Sequence, residues 1–361
     1  MSALIPITEY LNYVLFSILV GHIVLQFIPE SKKPTIVIPK STLLLSILGI
    51  ILCSFAPALQ VILYFSEGLG YRAAFSILTD FQVGISWIFI GFMATFLWMT
   101  IYVEGSKYLQ AVWILLMILA VGYSSHVASL YFWEGLITHS LHFLAVTLWT
   151  GLLLHVAWLS KDLKNWFSFL KWFTPFAIGC FVLLITTGLL VMFYVVEPRD
   201  YMNSWALPYG QMLLLKHISI IPLLLFAFIN GFLAKRSLQD ETFKPRPWLQ
   251  AESILLMIVF FITGVLGTQS PPHQVNFTVK SEGAATWVES LIGKEIIPPF
   301  LIQVAPSLQG ILLVIFSFMF LILIIISFNK KIKSTVALLF ASCFIVSLYL
   351  GLMMNVTSVT Q

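Results

Sequence analysis

Charge is what this chain has least of. Of its 361 residues only 9% are Asp, Glu, Lys or Arg, while 60% are hydrophobic. A soluble globular domain carries about 25% charged residues, so the shortage excludes a water-soluble fold and leaves a polytopic membrane protein. The net charge of +4 comes from lysines in the connections and gives no reason to expect nucleic acid as a partner. Cysteine is also scarce. Cys53, Cys180 and Cys343 stand singly in apolar runs, without a C-x-x-C pair or a C-x-x-C-H haem-attachment sequence. That excludes a thiolate metal trap and a covalently attached haem. There is no P-loop, no D-K-T-G-T phosphorylation sequence and no H-E-x-x-H, so the chain is expected not to be an enzyme and not to pump with ATP. The first ten residues hold no basic group, and the first apolar run is expected to stay as a membrane anchor.

Apolar runs are what the sequence has in abundance. Ten of them, at about 9–28, 42–65, 82–103, 108–131, 136–159, 171–196, 208–233, 250–268, 307–328 and 334–354, are long enough to cross a hydrocarbon core of ~30 Å. The expected fold is an all-α transmembrane bundle of about ten helices. It divides into an eight-helix core over 1–268, an external loop over 269–306 and a C-terminal two-helix hairpin over 307–361. The connections alternate in charge. One set holds Lys32, Lys33, Lys40, Lys107, Lys161, Lys164, Lys171, Lys235, Arg236, Lys244, Arg246, Lys330, Lys331 and Lys333; the other holds only Arg72, Arg199, Lys280 and Lys294. The positive-inside rule puts the first set in the cytoplasm and both termini outside. The loop carries Asn276-Phe277-Thr278, formally a glycosylation sequon.

Against this background three histidines stand out. His139 and His142 are three residues apart and share a helix face. His126 precedes the short connection Tyr131-Phe132-Trp133-Glu134-Gly135. A hairpin of the fourth and fifth helices would bring all three to one depth, roughly 6 to 11 Å below the outer boundary at 1.5 Å per residue. Imidazole is costly in lipid and is a good ligand for copper or zinc. A trigonal copper site is the sharp reading; three rings each bonded to a neighbouring carbonyl or hydroxyl is the bland one.

The remaining polar groups offer further candidates. Lys216 and His217 fall near the middle of the seventh run, as a gate or proton-coupling pair, or with Lys216 as a structural tie to Asn230 or to a carbonyl freed near Pro222. His22 and Met212 are additional candidate ligands, although most membrane methionines pack. Glu67, Asp80, Glu134, Glu197 and Asp200 lie at outer helix ends, where they either concentrate cations or simply solvate the ends. His155 follows His142 by thirteen residues, a spacing compatible with haem. A single haem between two of His22, His142, His155 and His217 is the alternative, and would make the chain a haem-b or quinone-linked redox protein.

The run from Ser125 to Leu153 contains S-H-V-A and then H-S-L-H-F-L-A-V-T-L-W-T-G-L-L. It resembles the CopD (copper resistance protein D) family, with its G-H-A-A segment followed by D-x-x-H-x-x-x-x-x-x-W-x-G-G-L. His126, His142, Trp149 and Gly151 match. Trp172-Phe173-Thr174 resembles the family's R-F-S, Thr187-Gly188 its T-G, and the stretch from Tyr209 to Lys216 its Y-G-x-x-L-x-x-K. Asn230, Ala251-Glu252 and Pro271 follow at suitable distances. The resemblance covers about residues 110–272. His139 stands where the family has aspartate, Ser125 where it has glycine, and Leu152 where it has a second glycine. The resemblance implies a bacterial cytoplasmic-membrane protein that moves copper inward or delivers it to a cuproprotein. Copper ions and an extracytoplasmic copper-carrying protein are the implied partners.

Overall fold

The computed structural model describes residues 4–65, 71–233, 244–272 and 274–360. Glu67, Lys235, Arg236 and His273 lie outside the described residues. The chain forms two compact units, Met1–Met192 and Phe193–Gln361.

The first unit contains α1 (Leu4–Leu25), α2 (Lys40–Cys53), α3 (Ala56–Phe65), α4 (Tyr71–Asp80), α5 (Gln82–Tyr102), α6 (Lys107–Tyr123), α7 (His126–Leu130), α8 (Phe132–Leu159) and most of α9 (Trp166–Val195). The second holds α10 (Pro208–Phe228), α11 (Arg246–Gly267), α12 (Val275–Glu282), α13 (Thr286–Ile292), β1 (Phe300–Val304), α14 (Leu308–Asn329), α15 (Ser334–Met353) and β2 (Val356–Thr360). Among the described residues nine helical spans are long and apolar enough to cross a membrane, with α2 and α3 sharing one; α6, at 17 residues, is a shorter apolar helix. This is the expected all-α polytopic bundle. Helices suit these runs because only a helix satisfies every backbone N–H and C=O within its own segment in lipid. Several start earlier than the apolar runs do: Leu4 against 9, Phe132 against 136, Trp166 against 171.

Local chemistry sets the ends. Ser106 caps α6 by accepting from the Tyr108 N–H, and Ser307 caps α14 by accepting from Gly310. Pro208 opens α10 in its first turn, where a missing N–H costs nothing.

The fourth run, expected as one helix over 108–131, is broken. α6 stops at Tyr123, and a new five-residue helix, α7, starts at His126. Two serines cause the break. The Ser124 hydroxyl bonds back to the Ala120 and Val121 carbonyls, and the Ser125 hydroxyl caps α7 by accepting from the Ala128 N–H. Such side chains offer the backbone an alternative to continuing the helix. Gly135 then lies so close to Val127 and Ala128 that any side chain there would strike their backbone.

The core of the first unit gathers Phe16, Leu19 and Ile23 of α1, Leu43, Ile47 and Ile50 of α2, Leu97 of α5, Met117 and Ile118 of α6 and Phe143 of α8. α1 and α8 touch backbone to backbone. A Cβ on Gly21 would stand 2.5 Å from the Gly151 carbonyl carbon and 2.6 Å from His155 Nδ1. Two facing glycines permit this approach, as small residues do in membrane helix pairs generally.

In the second unit α14 and α15 pair closely. α15 contributes Phe344, Leu348 and Met353 to a core shared with Trp205, Leu214 and Ile218. The segment expected as an external loop carries α12, α13 and β1. β1 pairs antiparallel with β2, Phe300 opposite Thr360 and Val304 opposite Val356. Asn276, the sequon asparagine, accepts the Phe300 N–H at 3.1 Å and so anchors the ribbon.

Candidate functional site

α8 carries the chemistry of the first unit. His139 and His142 sit two to three turns from its start at Phe132, both half-buried, while His126 at the head of α7 is exposed. His142 Nδ1 lies 3.0 Å from Thr187 Oγ1 of α9. The Thr187 hydroxyl already donates to the Leu183 carbonyl at 2.6 Å. Its oxygen therefore accepts from His142, which assigns the proton to Nδ1 and the lone pair to Nε2. A histidine that ligates a metal has this arrangement, one ring nitrogen donating to a fixed oxygen and the other presenting its lone pair. Gly188 completes the seat: a Cβ there would stand 3.3 Å from His142 Cε1.

The three candidate ligands are not gathered. Among the described residues no three His, Cys, Asp or Glu side chains come close enough together to hold a metal ion. His139 and His142 share a face of α8, and His126 belongs to a separate helix because of the serine break.

Farther along α8, His155 is fully buried. Its Nδ1 donates to the Gly151 carbonyl at 2.6 Å, and Nε2 is buried without a hydrogen-bond partner among the described residues. On α1, His22 Nε2 accepts from the Gln26 amide at 3.1 Å, and the same amide donates to Gln110 Oε1 at 2.8 Å.

In the second unit Lys216 is half-buried on α10, and His217 Nδ1 lies 2.8 Å from the Tyr201 hydroxyl. The expected tie from Lys216 to Asn230 is not made. Asn230 donates to Glu252 Oε2 at 2.7 Å and to the Trp248 carbonyl at 3.1 Å. It also lies fourteen residues, about 21 Å, along the helical axis from Lys216. The Asn230–Glu252 pair is the buried polar contact whose role the sequence did not reveal. It sits where α10 passes into a π-turn over Ile229–Leu233, a distortion frequent at functional positions. Met212 is half-buried beside Gln211. Gln211 is itself fully buried, donating to the Trp205 carbonyl and accepting from the Tyr349 hydroxyl, both at 2.5 Å.

The carboxylates expected at outer helix ends have local partners. Ser76 and Thr79 donate to Asp80 and hold its carboxyl below the usual carboxylate range. Glu197 pairs with Arg199 at 2.6 Å, and Asp200 accepts from Asn203 at 3.0 Å. Glu134 sits in the first turn of α8, where the helix dipole favours an acid.

These helices define a multi-pass membrane protein with imidazole side chains inside the spans. Residues 167–266 match the family model CopD, copper resistance protein D, which supports the resemblance read from the residues. No curated protein and no solved structure matches the chain. The matched stretch includes Thr187-Gly188, the seat of His142, together with Lys216, Asn230 and Glu252; His126, His139 and His142 precede it.

Proposed function

We propose that this chain takes up copper ions and moves them across the cytoplasmic membrane, binding them first at His126, His139 and His142. The observation that carries the reading is the His142–Thr187 bond. It sets the tautomer in which Nε2 is the basic nitrogen, and its threonine lies in the segment matching the copper resistance family. Copper accepts two imidazole donors as well as three. The His139–His142 pair on one face of α8 is therefore the core of the site, and His126, on α7 packed against α8, is its third ligand. In the second unit Lys216 and His217 form the gate, and Met212 is an additional ligand. Delivery to a cuproprotein outside the membrane is the variant of this reading in which copper binds but does not cross.

The haem alternative fits less well. A macrocycle ligated by His155 needs open space at Nε2, and that atom is sealed in a seam where α1 and α8 touch. The deciding experiment is elemental analysis of the purified protein with an absorption spectrum, followed by copper uptake into vesicles. Bound copper without a Soret band supports the copper reading, and uptake distinguishes transport from delivery. Protein that carries no copper after incubation with Cu(I) or Cu(II) overturns it.

A further inference from the structure

The lysines of the first unit are not all alike. Lys33 is tied to Glu30 and to the Leu25 carbonyl, each at 2.8 Å; Lys40 meets Glu104 at 3.1 Å; and Lys107 donates to the Gln26 carbonyl at 3.1 Å. Lys32, Lys161, Lys164 and Lys171 are exposed, and among the described residues no carboxylate comes within ion-pair distance of them. They come from the connection between α1 and α2, from the connection between α8 and α9, and from the second turn of α9. Each connection joins two spans and so lies at a membrane surface.

The two connections are zipped into one pad. The Lys161 N–H donates to the Thr35 carbonyl at 2.8 Å, and the Thr35 N–H donates to Asp162 Oδ1 at 3.1 Å, across 127 positions of the chain. The Asn165 amide donates to the Glu30 and Lys33 carbonyls at 2.9 and 3.3 Å, from a turn with φ +56° that asparagine tolerates. Trp172 Nε1 donates to the Lys32 carbonyl at 2.8 Å, which sets Lys32 beside the turn of α9 that carries Lys171. The lysine backbones are thus fixed by bonds that do not use their charges. Membrane orientation calls for positive charge in each connection but not for the connections to be joined. Joined, the four ammonium groups repel one another. The acids of the pad do not answer them: Glu30 serves Lys33, and Asp162 accepts from the Thr35 and Lys164 N–H groups. Apolar side chains stand exposed between them. Trp158 and Leu163 flank Lys161 in the chain, and Phe167, 64% exposed, falls between Lys164 and Lys171. Exposed cations alternating with exposed apolar groups at the ends of spans fit a lipid boundary, phosphate beside acyl chain.

We propose that this pad is a docking site for an anionic phospholipid. Lys32, Lys161, Lys164 and Lys171 hold its phosphodiester, and Trp158, Leu163 and Phe167 meet its acyl chains. Charge complementarity selects the class. A zwitterionic headgroup would bring its own ammonium group among the lysines, and a soluble anion would leave the apolar side chains uncovered. Basic sites between helices at a membrane surface take such headgroups. The bound lipid braces the adjoining ends of α8 and α9, the helices that carry His142 and Thr187. The site does not rest on the copper reading.

The test needs no copper. The full chain, delipidated in a neutral detergent, is titrated with phosphatidylglycerol carrying a fluorescent acyl chain, and phosphatidylcholine with the same label is the reference. Wild-type protein is expected to hold phosphatidylglycerol at least ~10-fold more tightly. A lysine near an anionic surface is worth about 5-fold in affinity. Replacing Lys32, Lys161, Lys164 and Lys171 together by glutamine should therefore abolish the preference and leave phosphatidylcholine binding unchanged. Glutamine at Lys330, Lys331 and Lys333, in the turn between α14 and α15, should leave the preference intact. Equal binding of the two lipids by wild-type protein overturns the site, as does a preference that survives the fourfold change. An equal fall from the α14–α15 lysines also overturns it, because charge without the pad would then suffice. Displacement of the lipid by excess inorganic phosphate assigns the pad to a soluble anion, and capture of a polyglutamate peptide in place of lipid assigns it to an acidic protein; either result overturns the lipid site. If the fourfold variant does not fold, Lys161→Gln with Lys164→Gln decides, with most of the preference expected to be lost.

Discussion

The two ends of α8 present the same side chain in opposite settings. Near its start His142 is half-buried, its ring seated between Thr187 and Gly188 of α9. Thirteen residues on, His155 is fully buried against the glycine contact of α1. Both rings have Nδ1 engaged and Nε2 as the lone-pair nitrogen. What separates them is space: the first ring is half-buried, whereas the second is sealed between touching backbones. Environment, rather than residue type, divides the two settings along one helix.

The largest expected effect breaks the sealed end. Gly151→Ala drives a methyl group into the Ser17 carbonyl and the Gly21 backbone. Overpacking of this kind costs about 3 kcal/mol, read as a loss of thermal stability, while copper affinity at the other end of α8 stays within a few-fold. Equal loss of both would erase the distinction.

His142→Ala attacks the open end. Copper affinity should fall about 100-fold, equivalent to about 2.7 kcal/mol, with little change in melting temperature; competition against a chromogenic chelator measures it. Thr187→Val keeps the shape and removes the oxygen that orients His142. A loss of about tenfold is expected, restored by Thr187→Ser. Wild-type affinity in Thr187→Val would mean that the tautomer does not matter and the seat is only packing. Ser125→Ala is the mildest change. Losing an N-cap costs about 1 kcal/mol, and amide exchange should increase over α7 without change around His155. If His126 is a ligand, copper affinity falls with it by a few-fold; unchanged affinity removes His126 from the site.

Much of this could be read in the sequence, because it rests on composition and local pattern. A run of twenty apolar residues is long enough to span and must be helical in lipid, so the spans follow without knowledge of their neighbours. The i, i+3 relation of His139 and His142 follows from helical periodicity alone. The break before His126 was present in Ser124-Ser125 but hidden, since serine is tolerated within membrane helices and only the caps it makes reveal an end. Thr187-Gly188 was visible as a family resemblance without a role, because its partner lies forty-five residues away. The β1–β2 ribbon escaped entirely: its strands are separated by two spanning helices, and five residues of mixed polarity announce nothing without the partner strand.

By itself, then, the sequence determined that this is a polytopic helical membrane protein and which few side chains could do chemistry in it, since hydropathy, charge alternation and helical spacing are properties of local stretches. Tertiary structure alone decided which imidazole is half-buried and which is sealed, that Asn230 serves Glu252 rather than Lys216, and that His126 opens a helix separate from that of His139 and His142. Those outcomes depend on which backbone approaches which. That approach is set by pairs such as Gly21 with Gly151 and Gly135 with Val127 and Ala128, whose meaning exists only once the helices have met.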